Sequence, residues 1–149
     1  MAKRRIHSKG EYRQEEAYAS GTITPGMLIE LDSSGYVKAH ATEGGYGERA
    51  FAVEDALQGK TVSDNYTTTN PDLVTYILPT KGACVNALLK AGYNYTIGTE
   101  LISAGDGTLI PNGQESSGVT VKEIIAEVTE ASDLSASGAS NTLSEVRIK

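Results

Sequence analysis

The run of residues 21–41 constrains the fold more than any other part of this sequence. It reads GTITPGMLIELDSSGYVKAHA, in which two short alternating stretches flank a small-residue turn that ends at Gly35. Alternation with a period of two places apolar side chains on one face of a half-buried strand. Two such strands around a short turn form a β-hairpin. The run therefore predicts an antiparallel pair and a body built from β-strands.

Similar patterns continue along the chain. We predict further strands over residues 49–54, 72–78, 83–89, 97–102, 108–110 and 143–149, with the last pairing against residues 124–129. The Asp106-Gly107 step is a strong hairpin signal between two of these strands. Residues 86–92 fit a short helix closed by glycine equally well, and residues 56–60 predict one helical turn closed by Gly59. The polar residues 64–70 predict a surface loop or an excursion to a neighbouring chain. The sequence predicts a mainly β protein.

The charge of the chain is distributed unevenly. The net charge is −6, but residues 1–10 carry Lys3, Arg4, Arg5 and Lys9 without an acid, a local charge of +4 that leaves −10 on residues 11–149. We predict an extended N-terminal arm over residues 1–18 and a single β-rich domain over residues 19–149. An acidic body with a basic arm favours docking between proteins. Because nucleic-acid-binding domains are usually basic, this class is disfavoured, and no nucleic acid is expected as a partner.

Cysteine content and hydropathy restrict the class further. Cys84 is the only cysteine, so an internal disulfide is impossible and a disulfide-stapled secreted scaffold is excluded. We expect no signal peptide, because the N-terminus lacks an apolar core segment, and no membrane partner, because no stretch approaches about 18 apolar residues. Assembly in a reducing cytoplasm is the expectation that follows.

The motifs that suggest chemistry are all weak. Gly59-Lys60-Thr61 is similar to the end of a phosphate-binding loop, but Glu54 occupies the position that needs a glycine. The two histidines, His7 and His40, are far apart in the chain, whereas zinc sites need clustered ligands, and we expect His40 on the surface. Cys84 is expected to be a small buried hydrophobe. We therefore predict no catalytic residue, no cofactor, no metal site and no enzymatic activity.

Three blocks of the sequence resemble capsid cement proteins, also called head decoration proteins, of tailed bacteriophages. They are residues 19–31 with 37–45, residues 50–61, and residues 97–101 with 103–109, and their order and spacing carry the likeness. The resemblance implies a small β-tulip or barrel-like fold and a homotrimer. It also implies binding to the major capsid protein on the outer surface of the virion, where the protein ties capsomers together after the head expands.

The site predictions concern contacts with neighbouring proteins and tight turns. We expect the basic residues of the N-terminal arm to contact the capsid or neighbouring decoration trimers; they are Lys3, Arg4, Arg5, Lys9 and Arg13. Four glycines of the similar blocks are expected to hold turns with a positive φ angle, namely Gly26, Gly45, Gly59 and Gly107.

Other classes of function stay open from the residues alone. A β-rich carbohydrate- or surface-binding module on a virion would use some of the eight tyrosines as stacking platforms and would group them in one groove. A small barrel hydrolase or nucleotide-binding enzyme is less well supported, given Glu54 in the loop motif and the scattered histidines.

Overall fold

The computed structural model describes residues 2–149, and its secondary structure is mainly β-strand. A single turn of 3₁₀ helix, Ala56–Gln58, is the helical element of the described chain, and no helix within it is long and apolar enough to cross a membrane. The strands, in chain order, are β1 His7–Lys9, β2 Tyr12–Tyr18, β3 Leu28–Leu31, β4 Val37–Ala39, β5 Ala50–Ala52, β6 Leu73–Pro79, β7 Cys84–Leu89, β8 Asn94–Tyr95, β9 Glu100–Ser103, β10 Leu109–Pro111, β11 Ala126–Val128, β12 Ser132–Asp133 and β13 Thr142–Ile148.

Five strands close into a small barrel in the order β7-β10-β9-β11-β13, because β13 also pairs with β7. β13 pairs along one edge of β7, and two strands share the other edge. β10 pairs there at Leu89, whereas β1 pairs nearer the start of β7, at Cys84 and Val85. All six residues of β7 are buried, which suits a strand with neighbours on both edges. Closure removes the free sheet edges that would otherwise invite aggregation.

The second sheet has five strands in the order β2-β6-β5-β3-β4. A bridge between Ala19 and Val37 joins the chain after β2 to β4 and brings the two outer strands together. Side chains alternate across this sheet, as the period of two requires. Leu28, Phe51 and Ile77 belong to the core of the barrel, and the neighbouring residues on each strand belong to a second core on the other face. The central strands β3, β5 and β6 therefore bury residues on both faces of this sheet, whereas the outer strand β2 is largely exposed.

The three sequence blocks that carry the resemblance converge where the barrel meets the second sheet. The amide of Leu28 donates to the carbonyl of Gly107 over 2.8 Å, and the amide of Gly44 donates to the carbonyl of Ser103 over 2.8 Å. The amide of Ala52 donates to the carbonyl of Met27 over 3.1 Å. Segments far apart in sequence thus form one hydrogen-bonded junction between the two cores.

Several sequence predictions are confirmed. Residues 21–41 contain the antiparallel pair β3–β4, and β9 and β10 form a hairpin around the Asp106-Gly107 step. The last strand, β13, pairs with β11 inside the range 124–129. The helical turn is also present, capped by the Asp55 side chain and closed by Gly59 in the left-handed conformation.

Other predictions are corrected. The extended N-terminal arm over residues 1–18 is not confirmed: residues 7–9 and 12–18 are strands of the two sheets, and Met1 lies outside the described residues. The helical alternative for residues 86–92 is wrong, because residues 86–89 belong to the buried strand β7. β6 and β7 are consecutive in the chain but belong to different sheets.

The turn glycines are confirmed at three of four positions. Gly26, Gly59 and Gly107 have φ angles of 95°, 71° and 87°. The prediction for Gly45 is wrong, because the positive φ of this turn, 68°, falls on Gly44 instead. Gly45 is constrained by packing, since an added Cβ atom would lie 2.7 Å from the Thr42 side chain.

Candidate basic docking surface

The basic N-terminal segment, residues 2–13, is fixed to the body by Ile6. This side chain is fully buried in the core of the barrel. The Ile6 amide donates to a carboxylate oxygen of Glu54 over 2.9 Å, and its carbonyl accepts from the amide of Asn86 over 2.7 Å. The Asn86 side chain also donates to the carbonyl of Arg5 over 2.8 Å. An apolar anchor and satisfied backbone groups thus hold the neighbouring basic residues in place.

Acids of the body neutralise part of the segment. Lys3 Nζ lies 2.7 Å from Glu130, and Lys9 Nζ lies 3.6 Å from Glu145. The pKa of Glu130 lies below its ordinary value, chiefly because the Lys3 ammonium group donates a hydrogen bond to this carboxylate. Ion pairs at the surface contribute little to stability, typically about 0–1 kcal/mol, because water screens them. Their effect here is to fix the orientation of the segment.

Glu145 of β13 is the most connected of these acids. It accepts a hydrogen bond of 2.5 Å from the Ser8 hydroxyl and one of 2.9 Å from the Thr129 hydroxyl. The Ser8 hydrogen bond lowers the pKa of this carboxyl group the most, and Thr129 and Lys9 lower it further. The carboxylate therefore joins β1 to the barrel in its ionised form.

Two arginines keep most of their charge available to a partner. The Arg5 side chain is 80% exposed, and its Nε lies 3.9 Å from Glu54, at the limit of an ion pair. Arg4 is exposed and forms no ion pair within residues 2–149. Both line a cleft of about 350 Å³ together with His7 and Tyr12. Guanidinium groups bind carboxylates with two parallel hydrogen bonds, so this cleft suits an acidic side chain of a partner protein.

The predicted contact residues are only partly brought together. Lys3, Arg4 and Arg5 border one depression, and Lys9 lies on the neighbouring strand beside Glu145. Arg13 lies on β2 of the second sheet, where its Nε is 3.0 Å from Glu15. The sequence reasoning did not identify Glu54 and Glu145 as the acids that position this segment. No local signal could have found them, because they are remote in the chain from the residues that they bind.

The residues tested for chemistry have structural roles. His40, expected on the surface, is completely buried. Its Nε2 lies 3.1 Å from the Tyr46 carbonyl, which can only accept, and its Nδ1 lies 2.7 Å from the Ser103 hydroxyl, so both ring nitrogens have hydrogen-bond partners. Cys84 is buried, as expected. Lys60, the lysine of the Gly59-Lys60-Thr61 motif, donates to the backbone carbonyl of Asn65 over 2.9 Å. Within residues 2–149 no group of three potential metal ligands occurs.

No protein-family model matches the sequence, and no curated protein matches it.

Proposed function

We propose that this protein is a non-enzymatic head decoration protein of a tailed bacteriophage. In this proposal it forms a homotrimer and binds the major capsid protein on the outside of the mature capsid. It stabilises contacts between capsomers and belongs to the outer surface of the virion. A protein that binds only the expanded lattice stabilises that lattice by mass action, without any chemical step.

The observation that carries the proposal is a fixed basic surface on an otherwise acidic domain. Ile6 anchors the segment in the core, and Arg4 and Arg5 are left facing solvent. A positioned guanidinium group loses less freedom on binding than a mobile one, which favours docking to a partner's carboxylates. The convergence of the three similar blocks at one junction also supports the proposal, because the likeness then follows a structural unit.

Co-sedimentation with purified heads tests this function. We expect saturable binding of the protein to mature, expanded heads and none to unexpanded procapsids. The variant Arg4→Glu should bind expanded heads less tightly, whereas Lys81→Glu, an equal charge change at another exposed position, should bind like the wild type. Equal binding to both shells, or to neither, would contradict the proposal.

Charge reversal is a sharper test than deletion of the segment. Removing residues 1–13 would remove Ile6, all of β1 and the beginning of β2, and would disturb both sheets. Arg4 is exposed and outside any strand, so its reversal leaves the fold intact. Circular dichroism of each variant provides the check on folding.

A carbohydrate- or surface-binding module on a virion is the second candidate. It is favoured by the exposed pair Tyr18 and Tyr36, whose rings are 6.4 Å apart and nearly perpendicular. Stacking on sugars uses such rings, but the exposed Tyr12 and Tyr46 line two separate clefts rather than the single groove that this class predicts. Binding of the isolated protein to a glycan array would favour this candidate over the first.

A further inference from the structure

A groove of about 280 Å³ opens on the second sheet, on the face that carries the second core. Its floor is apolar, formed by Ile29, Ala50 and the ring of Tyr76. Two large apolar side chains at its margin face water: Leu31 is half exposed, and Tyr46 is 77% exposed. Exposed apolar surface beside a concave site is typical of a protein-binding surface.

The margin of this groove is acidic. Glu30 and Glu48 line it, and a carboxylate oxygen of Glu15 accepts a hydrogen bond of 3.0 Å from the Tyr76 hydroxyl. Glu15 and Glu30 have internal partners in Arg13 and Lys38. Glu48 is exposed and forms no ion pair in the described part of the chain. We call this site, defined by Glu30, Leu31, Tyr46, Glu48 and Tyr76, the acidic groove.

The chain carries the complementary surface itself. The basic N-terminal segment presents the Arg4 and Arg5 guanidinium groups to solvent, and its charge is not fully neutralised by the body. Two exposed surfaces of opposite charge on one molecule favour contact between copies. A guanidinium group fits the acidic groove chemically, since it pairs with carboxylates and stacks on tyrosine rings.

We propose that the acidic groove of one copy binds the Arg4–Arg5 segment of a second copy. The contact joins different surfaces of the two molecules, so successive copies form a closed ring or an open chain, depending on the angle between them. This inference rests on the proposed function, because it names the surface of a neighbouring decoration protein that receives the basic segment. It assigns Glu48 and Tyr46 as contact residues, which the sequence did not indicate.

Sedimentation equilibrium of the free protein tests the contact without any capsid. At low salt and up to about 1 mM protein, even contacts with millimolar dissociation constants register. We expect the wild-type protein to show a mass that is a multiple of 15.7 kDa and to dissociate as salt is added. Glu48→Arg and Arg4→Glu should each raise the dissociation constant by about 30-fold or more, the loss that a desolvated charge pair brings. Glu100→Arg, at an exposed acid in the barrel, should have no effect.

A mixing experiment separates loss of contact from loss of folding. Glu48→Arg keeps an intact basic segment and Arg4→Glu keeps an intact groove, so the equimolar mixture should associate where each variant alone does not. Monomeric wild-type protein at every concentration, or association of Glu48→Arg equal to the wild type, would overturn the inference. A mixture that stays monomeric would do the same. Association without binding to expanded heads would remove the proposed function alone.

Discussion

Gly26 connects the two halves of the fold, and replacing it by alanine is the sharpest test of the packing. Its amide donates to the carbonyl of Ala52 in β5 over 2.8 Å, and its carbonyl accepts from the amide of Leu88 in β7 over 2.9 Å. One residue is thus bonded both to the second sheet and to the barrel. Any shift of its backbone disturbs both hydrogen bonds at once.

The magnitude follows from two effects. The φ angle of 95° lies in the region that favours glycine, and holding alanine there costs about 1–2 kcal/mol. The added methyl group would clash with Cδ2 of Leu143 and lie 3.2 Å from the Asn86 carbonyl oxygen, and overpacking of this kind typically costs about 1–3 kcal/mol. We expect Gly26→Ala to lower the free energy of unfolding by about 2–5 kcal/mol. The melting temperature should fall by about 4–20 °C for a chain of this size.

Gly35→Ala is the matched control. Gly35 has a φ angle of 81° in the β3–β4 turn, but an added Cβ atom there would meet nothing within 4 Å. Only the conformational effect of about 1–2 kcal/mol should remain. Urea unfolding followed by circular dichroism measures both variants, and the difference between them isolates the contribution of packing at Gly26.

The role of Leu143 is tested by a double-mutant cycle. If the clash with Leu143 dominates, Gly26→Ala should destabilise the Leu143→Ala variant less than it destabilises the wild type. Two results would refute the reasoning: a loss of stability at Gly26 no larger than at Gly35, or strict additivity of Gly26→Ala with Leu143→Ala.

Two further predictions concern the dependence of stability on pH. Burial, above all, raises the pKa of Tyr66 to about 12, and its hydroxyl donates to the Val53 carbonyl over 2.6 Å. Because the pKa of an unfolded tyrosine is about 10, this stabilisation is complete below pH 10 and is lost as the pH rises toward 12. Tyr66→Phe should lower the free energy of unfolding at neutral pH by about 1–2 kcal/mol, and this free energy should then fall less steeply as the pH rises above 10. Urea unfolding at several pH values measures both effects, and a fall as steep as that of the wild type would contradict this prediction. The pKa of Glu145 is lowered, so its stabilisation is present at neutral pH and is lost as the pH falls below the range where glutamates ionise. Glu145→Gln should therefore be less stable than the wild type at neutral pH and equal to it in acid, with Glu100→Gln unchanged throughout; a deficit that persists in acid would contradict the role of the charge.

Local features of the fold were predictable because short-range chemistry determines them. The β3–β4 turn is held by Asp32, whose carboxylate accepts from the amides of Ser34 and Tyr36 over 2.8 and 3.0 Å. The β9–β10 turn uses Asp106 in the same way, with the amide of Thr108 as donor over 3.0 Å. These side chains bind backbone groups two to four residues away, so the sequence alone contains the signal.

The anchoring of the N-terminal segment through Ile6 and the burial of His40 could not be predicted. Residues 1–10 have no periodicity and a charge of +4, which suggests a solvated arm, yet Ile6 is anchored by Glu54 and Asn86 from distant parts of the chain. Strand alternation placed His40 on an exposed face. The loop that contains Tyr46 folds over this histidine and hydrogen bonds to it, an event that depends on the position of β9.

The candidate site was likewise predictable only in part. The sequence determined its charges, because the excess of Lys and Arg near the start and of acids elsewhere can be counted directly. Association with a capsid, the trimer and the virion location stay predictions from resemblance. The acidic groove could not be read from the sequence, since Glu30, Glu48 and Tyr76 come from three separate segments.

The sequence by itself therefore determined strand periodicity, turn chemistry and the asymmetry of charge, all of which depend on residues close together in the chain. Only the tertiary structure decided that β7 pairs with β1, β10 and β13, that the barrel closes, and that the central strands of the second sheet contribute to two cores. The physical reason is that hydrogen bonds between strands are nearly independent of side-chain identity, so many pairings satisfy them equally well. The choice among these pairings is made by the shared burial of apolar side chains from the whole chain.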